Sequence, residues 1–230
     1  MLKQWNDSAE WFTERVETKP HNAYYERPAT MSLLPEVRGL KVLDAGCGPG
    51  VYTKFLVKNG AEVIAIDFSQ KMLDYAKKSI GNKAHFLKAD LSKKLDFFQS
   101  DIFDLIICPL VLDSIEQIDI PLEEFYRLLK LDGILIFSMG HPMHDFKYSL
   151  SNNYFLNEGF TIRWSSGIDM THFRRPLSYI LNLLCKIGFI LEKFIEPLPT
   201  KEFADYNLID FEKLSKQPGF ICIRVRKSSK

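Results

Sequence analysis

The sequence of 230 residues predicts one α/β domain with a doubly wound sheet, and three observations carry that prediction. Strand-like and helix-like segments alternate from residue 40 to residue 140. The strand-like segments are nearly continuous apolar runs, as in parallel strands covered by helices on both faces. A glycine-rich turn joins the first strand to the helix after it, where such folds bind ligands.

In chain order, the first forty residues are polar and aromatic and look helical, with breaks expected at Pro20, Pro28 and Pro35. LKVLDA (40–45) is the first strand and VYTKFLVKNG (51–60) a helix stopped by Gly60. AEVIAID (61–67) is the second strand. SQKMLDYAKKSIG (69–81) is a helix with Ser69 as N-cap and Gly81 past its end. KAHFLKAD (83–90) and FDLIICP (103–109) are the third and fourth strands, PLEEFYRLLK (121–130) an amphipathic helix, and GILIFSMG (133–140) the fifth strand. Right-handed crossovers then give the double winding. Residues 141–173 break the rhythm and read as an irregular aromatic insertion. Residues 176–188 return to helix and 189–197 to strand, 199–218 look partly helical, and GFICIRVRK (219–227) is the last strand. The expected organisation is a single domain over 1–230, with a helical cap over about 1–38 and the insertion over about 141–173.

A net charge of +1 gives no basic excess that would point to nucleic acid or an anionic membrane. MLKQWNDSAEW lacks the apolar core of a signal peptide, and the apolar run LIICPLVL is too short to span a bilayer. Four cysteines lie far apart without a CxxC pair, as expected of reduced thiols in a cytoplasmic protein. Composition leaves open whether the chain is a monomer or a homodimer.

The turn VLDAGCGPG (42–50) has Gly46, Gly48 and Gly50 in a GxGxG spacing rather than GxGxxG, and Pro49 offers no N–H to a phosphate. Asp44, Asp67 and Asp90 close the first three strands, and Asp67 lies 21 residues after Gly46. An acid about 20 residues beyond the turn suits ribose hydroxyls. Three acids suit a ligand with a ribose, an amine and a positive charge, and oppose a diphosphate. S-adenosylmethionine (SAM) has those groups and no phosphate.

These segments resemble the class I SAM-dependent methyltransferases, in particular their small-molecule branch of the type 11-like kind. VLDAGCGPG resembles their first motif, VIAIDFS (63–69) the second, KADL (88–91) the acidic loop beside adenine, and FDLIICPLVLDSI with LLKLDGILIFS the later strands. The resemblance covers about residues 36–140 and extends more loosely to HNAYYERP and RPLSYI. It implies a Rossmann-like sheet of seven strands, mostly parallel with an antiparallel last strand, in the order 3-2-1-4-5-7-6. It implies SAM as methyl donor and S-adenosyl-L-homocysteine (SAH) as product. Asp44 would face the methionine ammonium, with Gly46 and Gly48 beside the methionine. Asp67 would hold the ribose, Phe68 and Met72 would pack near adenine, and Asp90 and Leu91 would face its edge. Backbone at Cys108 and Pro109 would line the sulfonium side. If the N-terminal helices lie over the strand ends, as this topology places them, Tyr25 would close over the cofactor with Tyr24 and Arg27.

Methyl transfer needs an aligned nucleophile, dryness and sometimes a base. CPLV after the fourth strand departs from the Pro-Pro-aromatic run of the amide and exocyclic nitrogen methylases, and Cys108 reads as a buried thiol rather than a nucleophile. The expected activity is methylation of a small organic acceptor at O, N or C. The alternatives are an RNA or protein methyltransferase and a non-catalytic SAM-binding module. Arg163, Arg174, Arg175 and Glu196 are candidates to hold the acceptor. In GHPMHDF (140–146), His141 leaves the fifth strand beside the methyl donor and is the candidate catalytic base or orienting group. His144 and Asp145 are expected further out. A metal triplet is not expected, because Pro142 opposes a helix through His141.

Overall fold

The structure is a computed structural model that describes residues 2–228. Helix α1 (Leu2–Arg15) leads through a π-helical turn (Asn22–Glu26) into α2 (Arg27–Ser32). Then β1 (Lys41–Ala45), α3 (Val51–Lys58), β2 (Glu62–Asp67), α4 (Gln70–Ile80), β3 (His85–Lys88), β4 (Phe103–Pro109), α5 (Asp119–Leu128) and β5 (Leu129–Gly140) alternate. After β5 come α6 (Pro142–Asp145), β6 (Glu158–Arg163), β7 (Asp169–Arg174), α7 (Leu177–Ile187), β8 (Phe189–Ile195), α8 (Lys201–Tyr206), α9 (Leu208–Leu214) and β9 (Phe220–Lys227).

Among the described residues, seven strands form one sheet in the order β3-β2-β1-β4-β5-β9-β8. Numbered within that sheet, this is the expected 3-2-1-4-5-7-6. The first five strands pair in parallel, and β9 runs antiparallel to both β5 and β8. Side chains alternate between two cores, as the pleat requires. Leu43, Ile106 and Phe137 pack against Leu122 and Phe125 of α5 and Ile180 and Leu184 of α7. Their neighbours Val42, Leu105, Ile107 and Ile136 face Leu56 of α3, Ile80 of α4 and Leu33. All of these are buried, and each contributes roughly 1.5–3 kcal/mol by leaving water. Because the strands are parallel, the ends of β1, β2, β4 and β5 lie along one edge of the sheet.

Helix α4 begins as predicted: the Ser69 hydroxyl accepts the N–H of Met72 at 3.3 Å. Three expectations are corrected. Pro28 does not break the N-terminal helix. It sits at the start of α2, and the Arg27 N–H bonds back five residues to Asn22. The carbonyl that Pro28 leaves without a helical donor, that of Tyr24, accepts instead from the Thr200 N–H at 2.8 Å. Strand β5 starts at Leu129, four residues early, and bulges at Asp132 (φ 62) and Gly133 before full pairing with β4 resumes at Ile134. The insertion is not irregular throughout, since β6 and β7 form an antiparallel hairpin with Phe160 opposite His172.

Candidate active site at the strand ends

A cavity of about 1110 Å³ opens over the carboxyl edge of the sheet. Its floor is the turn after β1, the end of β2, the segments after β3 and β4, and Gly140 of β5. Its roof is α1, the π-helical turn and the β6–β7 hairpin. Trp164 at the hairpin end locks that roof, lying 5.5 Å edge-on from Trp5 and 5.9 Å from Phe12 in a stack. Buried Glu26 ties the π-helical turn to the sheet by accepting from the hydroxyls of Thr30, Tyr52 and Ser138.

On one side the cavity is lined by the glycine-rich turn. Gly46 (φ 80) and Gly48 (φ 53) both hold left-handed backbone, which glycine adopts without strain. A Cβ at Gly46 would strike the Val111 side chain, whereas one at Gly48 would meet no protein atom within 4 Å. The Gly48 N–H donates to Asp67 at 2.9 Å, and the Ser69 N–H donates to the same carboxylate at 2.8 Å. Asp44 is fully enclosed. One of its oxygens accepts from the Thr53 hydroxyl at 2.5 Å and the other has no partner. Burial, with the nearby Asp67 charge adding to it, raises Asp44 from 3.8 to about 7. Burial raises Asp67 to about 6, against the pull of the backbone N–H groups of Ser69, Gly48 and Phe68.

Phe68, Met72, Asp90, Leu91, Pro109 and Tyr25 all line this cavity together with Asp44, Gly46, Gly48 and Asp67. Asp90 folds its own loop by accepting from the N–H and hydroxyl of Ser92. The Tyr25 hydroxyl accepts from the Gly219 N–H at 2.7 Å. Cys108 does not reach the cavity: it lies wholly in the core beneath, where burial pushes its thiol well up.

His141 also lies apart from the lining. It is buried, its Nδ1 accepts the Met143 N–H at 3.1 Å, and its Nε2 meets Glu196 at 2.8 Å. The first bond fixes the tautomer, so Nε2 carries the proton that Glu196 accepts. His141 thus caps α6, and both ring nitrogens are engaged. Pro142 sits at the first helical position, so no helix runs through His141, as expected, and a short one starts just after it. That short helix turns His144 and Asp145, expected further out, into the cavity wall. The Asp145 carboxyl packs on Gly140, and burial raises it to about 7. Asp113 lines the same corner, accepts the Gly140 N–H at 2.9 Å, and is raised to about 8, chiefly by burial and then by Asp145. His144 is lowered to about 4 by burial and by Lys147.

The other side of the cavity is aromatic. Tyr148 stacks on Phe160 at 5.1 Å, and Phe160 on His172 at 5.8 Å. The three arginines expected to face an acceptor lie outside the lining. Arg174 is held by Glu158 at 2.6 Å, Arg175 by the carbonyls of Ile115 and Glu116, and Arg163 by Asp169 at the surface. The cations that do line the cavity are Lys19, Arg27, Lys88 and Lys93. Arg27 donates to the carbonyls of Val16 and Glu17 and keeps a buried Nε without a partner. The sequence signal for this wall was the alternation Phe160, Ile162, Trp164 before Ser-Ser-Gly, a hairpin pattern inside an apparently irregular stretch.

A family model described as a methyltransferase domain matches residues 43–137. An uncharacterized protein of Haemophilus influenzae is 30% identical over 230 residues, covering 91% of this chain and 89% of the relative. The malonyl-[acyl-carrier protein] O-methyltransferase of Enterobacter lignolyticus is 35% identical over 120 residues, which is 51% of this chain but only 47% of that enzyme. A SAM-dependent methyltransferase structure from Mesorhizobium loti superposes with a TM-score of 0.77 at 26% identity, covering 92% of this chain and 99% of that one.

Proposed function

Because the chain belongs to the class I SAM-dependent methyltransferases, we propose that it methylates a small organic acceptor held under the aromatic roof. The observation that carries this reading is the shape of the cavity: glycines and acids on one side, a closed aromatic wall on the other. A small molecule fits such a concave, largely apolar space with a few polar groups. An RNA or protein substrate needs a docking surface instead, and a net charge of +1 supplies no general attraction for RNA.

The cofactor assignment has its own fit in the chain. Asp44 has an unpartnered buried oxygen and Arg27 an unpartnered buried N–H, both in residues that line the cavity. The ammonium and carboxylate of a methionine group supply the two missing partners. Asp67 would hold the ribose, and Phe68, Met72, Asp90 and Leu91 would surround adenine. Bound there, SAM supplies a methyl group for in-line displacement by the acceptor nucleophile. The residues of the chain orient that nucleophile, exclude water and take its proton. Asp145, at about 7 and in the cavity wall, is poised near neutrality for the last task. His144 and His172, both lowered to about 4, are neutral at pH 7 and poor bases. His141 is a positioning residue that holds α6 in place.

Titration calorimetry with SAM and SAH tests the reading: both should bind, and no heat from either in folded protein overturns it. Asp44→Asn should weaken both by about 2–5 kcal/mol, the cost of truncating a buried charge pair. Label from methyl-labelled SAM should then pass to the small-molecule fraction of a cell extract, not to RNA or protein.

A further inference from the structure

Lys19 lies in the loop after α1 and lines the aromatic side of the cavity. Its ammonium sits 4.8 Å from the Trp164 ring centre and 5.9 Å from that of Trp11. The ammonium makes no ion pair or hydrogen bond with any described residue, and its near neighbours are aromatic rings. Burial lowers its pKa, and no neighbouring acid counters that. His172, on β7, feels the Lys19 charge and has a buried Nε2 with no hydrogen-bond partner. An unpaired ammonium and an unsatisfied imidazole nitrogen therefore line one aromatic wall. Buried polar groups are normally satisfied, so the orphan Nε2 of His172 needs a reason, while the Lys19 ammonium beside the rings lacks a counter-charge.

We propose that Lys19 and His172 form the anchor for a carboxylate on an aromatic methyl acceptor. This rests on the methyltransferase reading above and adds the class of acceptor. One cation with one neutral donor balances a single negative charge, whereas a phosphate monoester would bring nearly two. Trp164, Phe160 and Tyr148 in the lining supply apolar and edge-on aromatic contact for a ring attached to that carboxylate. The carboxylate supplies what both groups lack: a counter-charge for Lys19 and a hydrogen-bond acceptor for His172 in its Nε2–H tautomer.

The test uses the whole chain saturated with SAH and follows fluorescence of the cavity tryptophans Trp5 and Trp164. The probes are benzoate, phenylacetate, cinnamate and 2-naphthoate, each against its neutral amide, with phenyl phosphate as a separate arm. At least one acid should bind about tenfold or more tightly than its amide and more tightly than phenyl phosphate. Lys19→Met, which keeps the apolar stem over Trp164, should erase that preference, and Lys19→Arg should keep part of it. SAH affinity should be the same in all three proteins. If no acid outbinds its amide, or Lys19→Met leaves the preference intact, the carboxylate anchor is wrong while the methyltransferase reading stands. If phenyl phosphate binds best, the site takes phosphate and the proposal fails. If SAH itself does not bind, the methyltransferase reading fails first, and the anchor falls with it.

Discussion

The two sides of the cavity are built by different kinds of structure. The glycine-rich side comes from consecutive strand ends between Asp44 and Leu91, held in register by a parallel sheet. The aromatic side joins α1 to a hairpin so distant in sequence that the contact from Gln4 to Thr171 spans 167 residues. The first is fixed by backbone: turn glycines, strand ends and N–H groups on Asp67. The second is fixed by side-chain stacking of Trp164 on Phe12 and Trp5. A site made of backbone tolerates little change and suits an invariant cofactor. One made of stacked side chains can be re-cut for a different acceptor.

That contrast is open to attack at several points. The largest expected effect is at Asp145. Asp145→Asn should lower kcat by about 10²–10⁴ with SAM affinity unchanged. In the parent protein the rate should rise with pH through about 7, because the ionised carboxylate takes the proton. A flat pH–rate profile, or equal loss of cofactor binding, would remove Asp145 from the acceptor side.

A smaller effect is expected at His141. His141→Ala removes the cap of α6, worth about 0.5–2 kcal/mol, and should impair turnover while sparing SAM affinity. His141→Asn, whose side chain can cap the same N–H, should restore most of the turnover. Failure of Asn to rescue would return His141 to a direct chemical role.

A third effect is on stability. Asp44 and Asp145 both stand near 7 in the folded chain against 3.8 ordinarily. Raised folded values mean that the protonated forms favour the fold fully below about pH 4, and that this contribution is lost as pH rises through 7. The ligand-free protein should therefore melt lower at pH 8 than at pH 5.5. SAH should recover the part due to Asp44, by giving its carboxylate a cation, and leave the part due to Asp145. A ligand-free melting temperature that rises over this range would contradict the assignment of both acids.

The same contrast explains what the sequence made legible. The order of the sheet and the gathering of Asp44, Asp67 and Asp90 at one edge follow from local strand–turn–helix signals. So do the special backbone positions at Gly46 and Gly48. The sequence puts His141 at the end of β5, and it follows Gly140 there. Its direction depends on a cap, and the cap turns the ring away from the cavity while α6 carries Asp145 in. Pro142 held the clue, since proline is at home in the first turn of a helix. Arg174 and Arg175 show only their charge in the sequence, and charge does not disclose that Glu158 and two backbone carbonyls already hold them. Lys19 carries no motif. It stands out only once the structure shows an aromatic wall around it and no acid beside it.

Hydrogen–deuterium exchange with and without SAH tests the division of the cavity most directly. Protection should appear at residues 44–51, 67–72 and 89–92, with little change in the hairpin from 158 to 174. Protection concentrated in the hairpin, with the strand-end turns unaffected, would contradict the placing of the cofactor on the glycine-rich side.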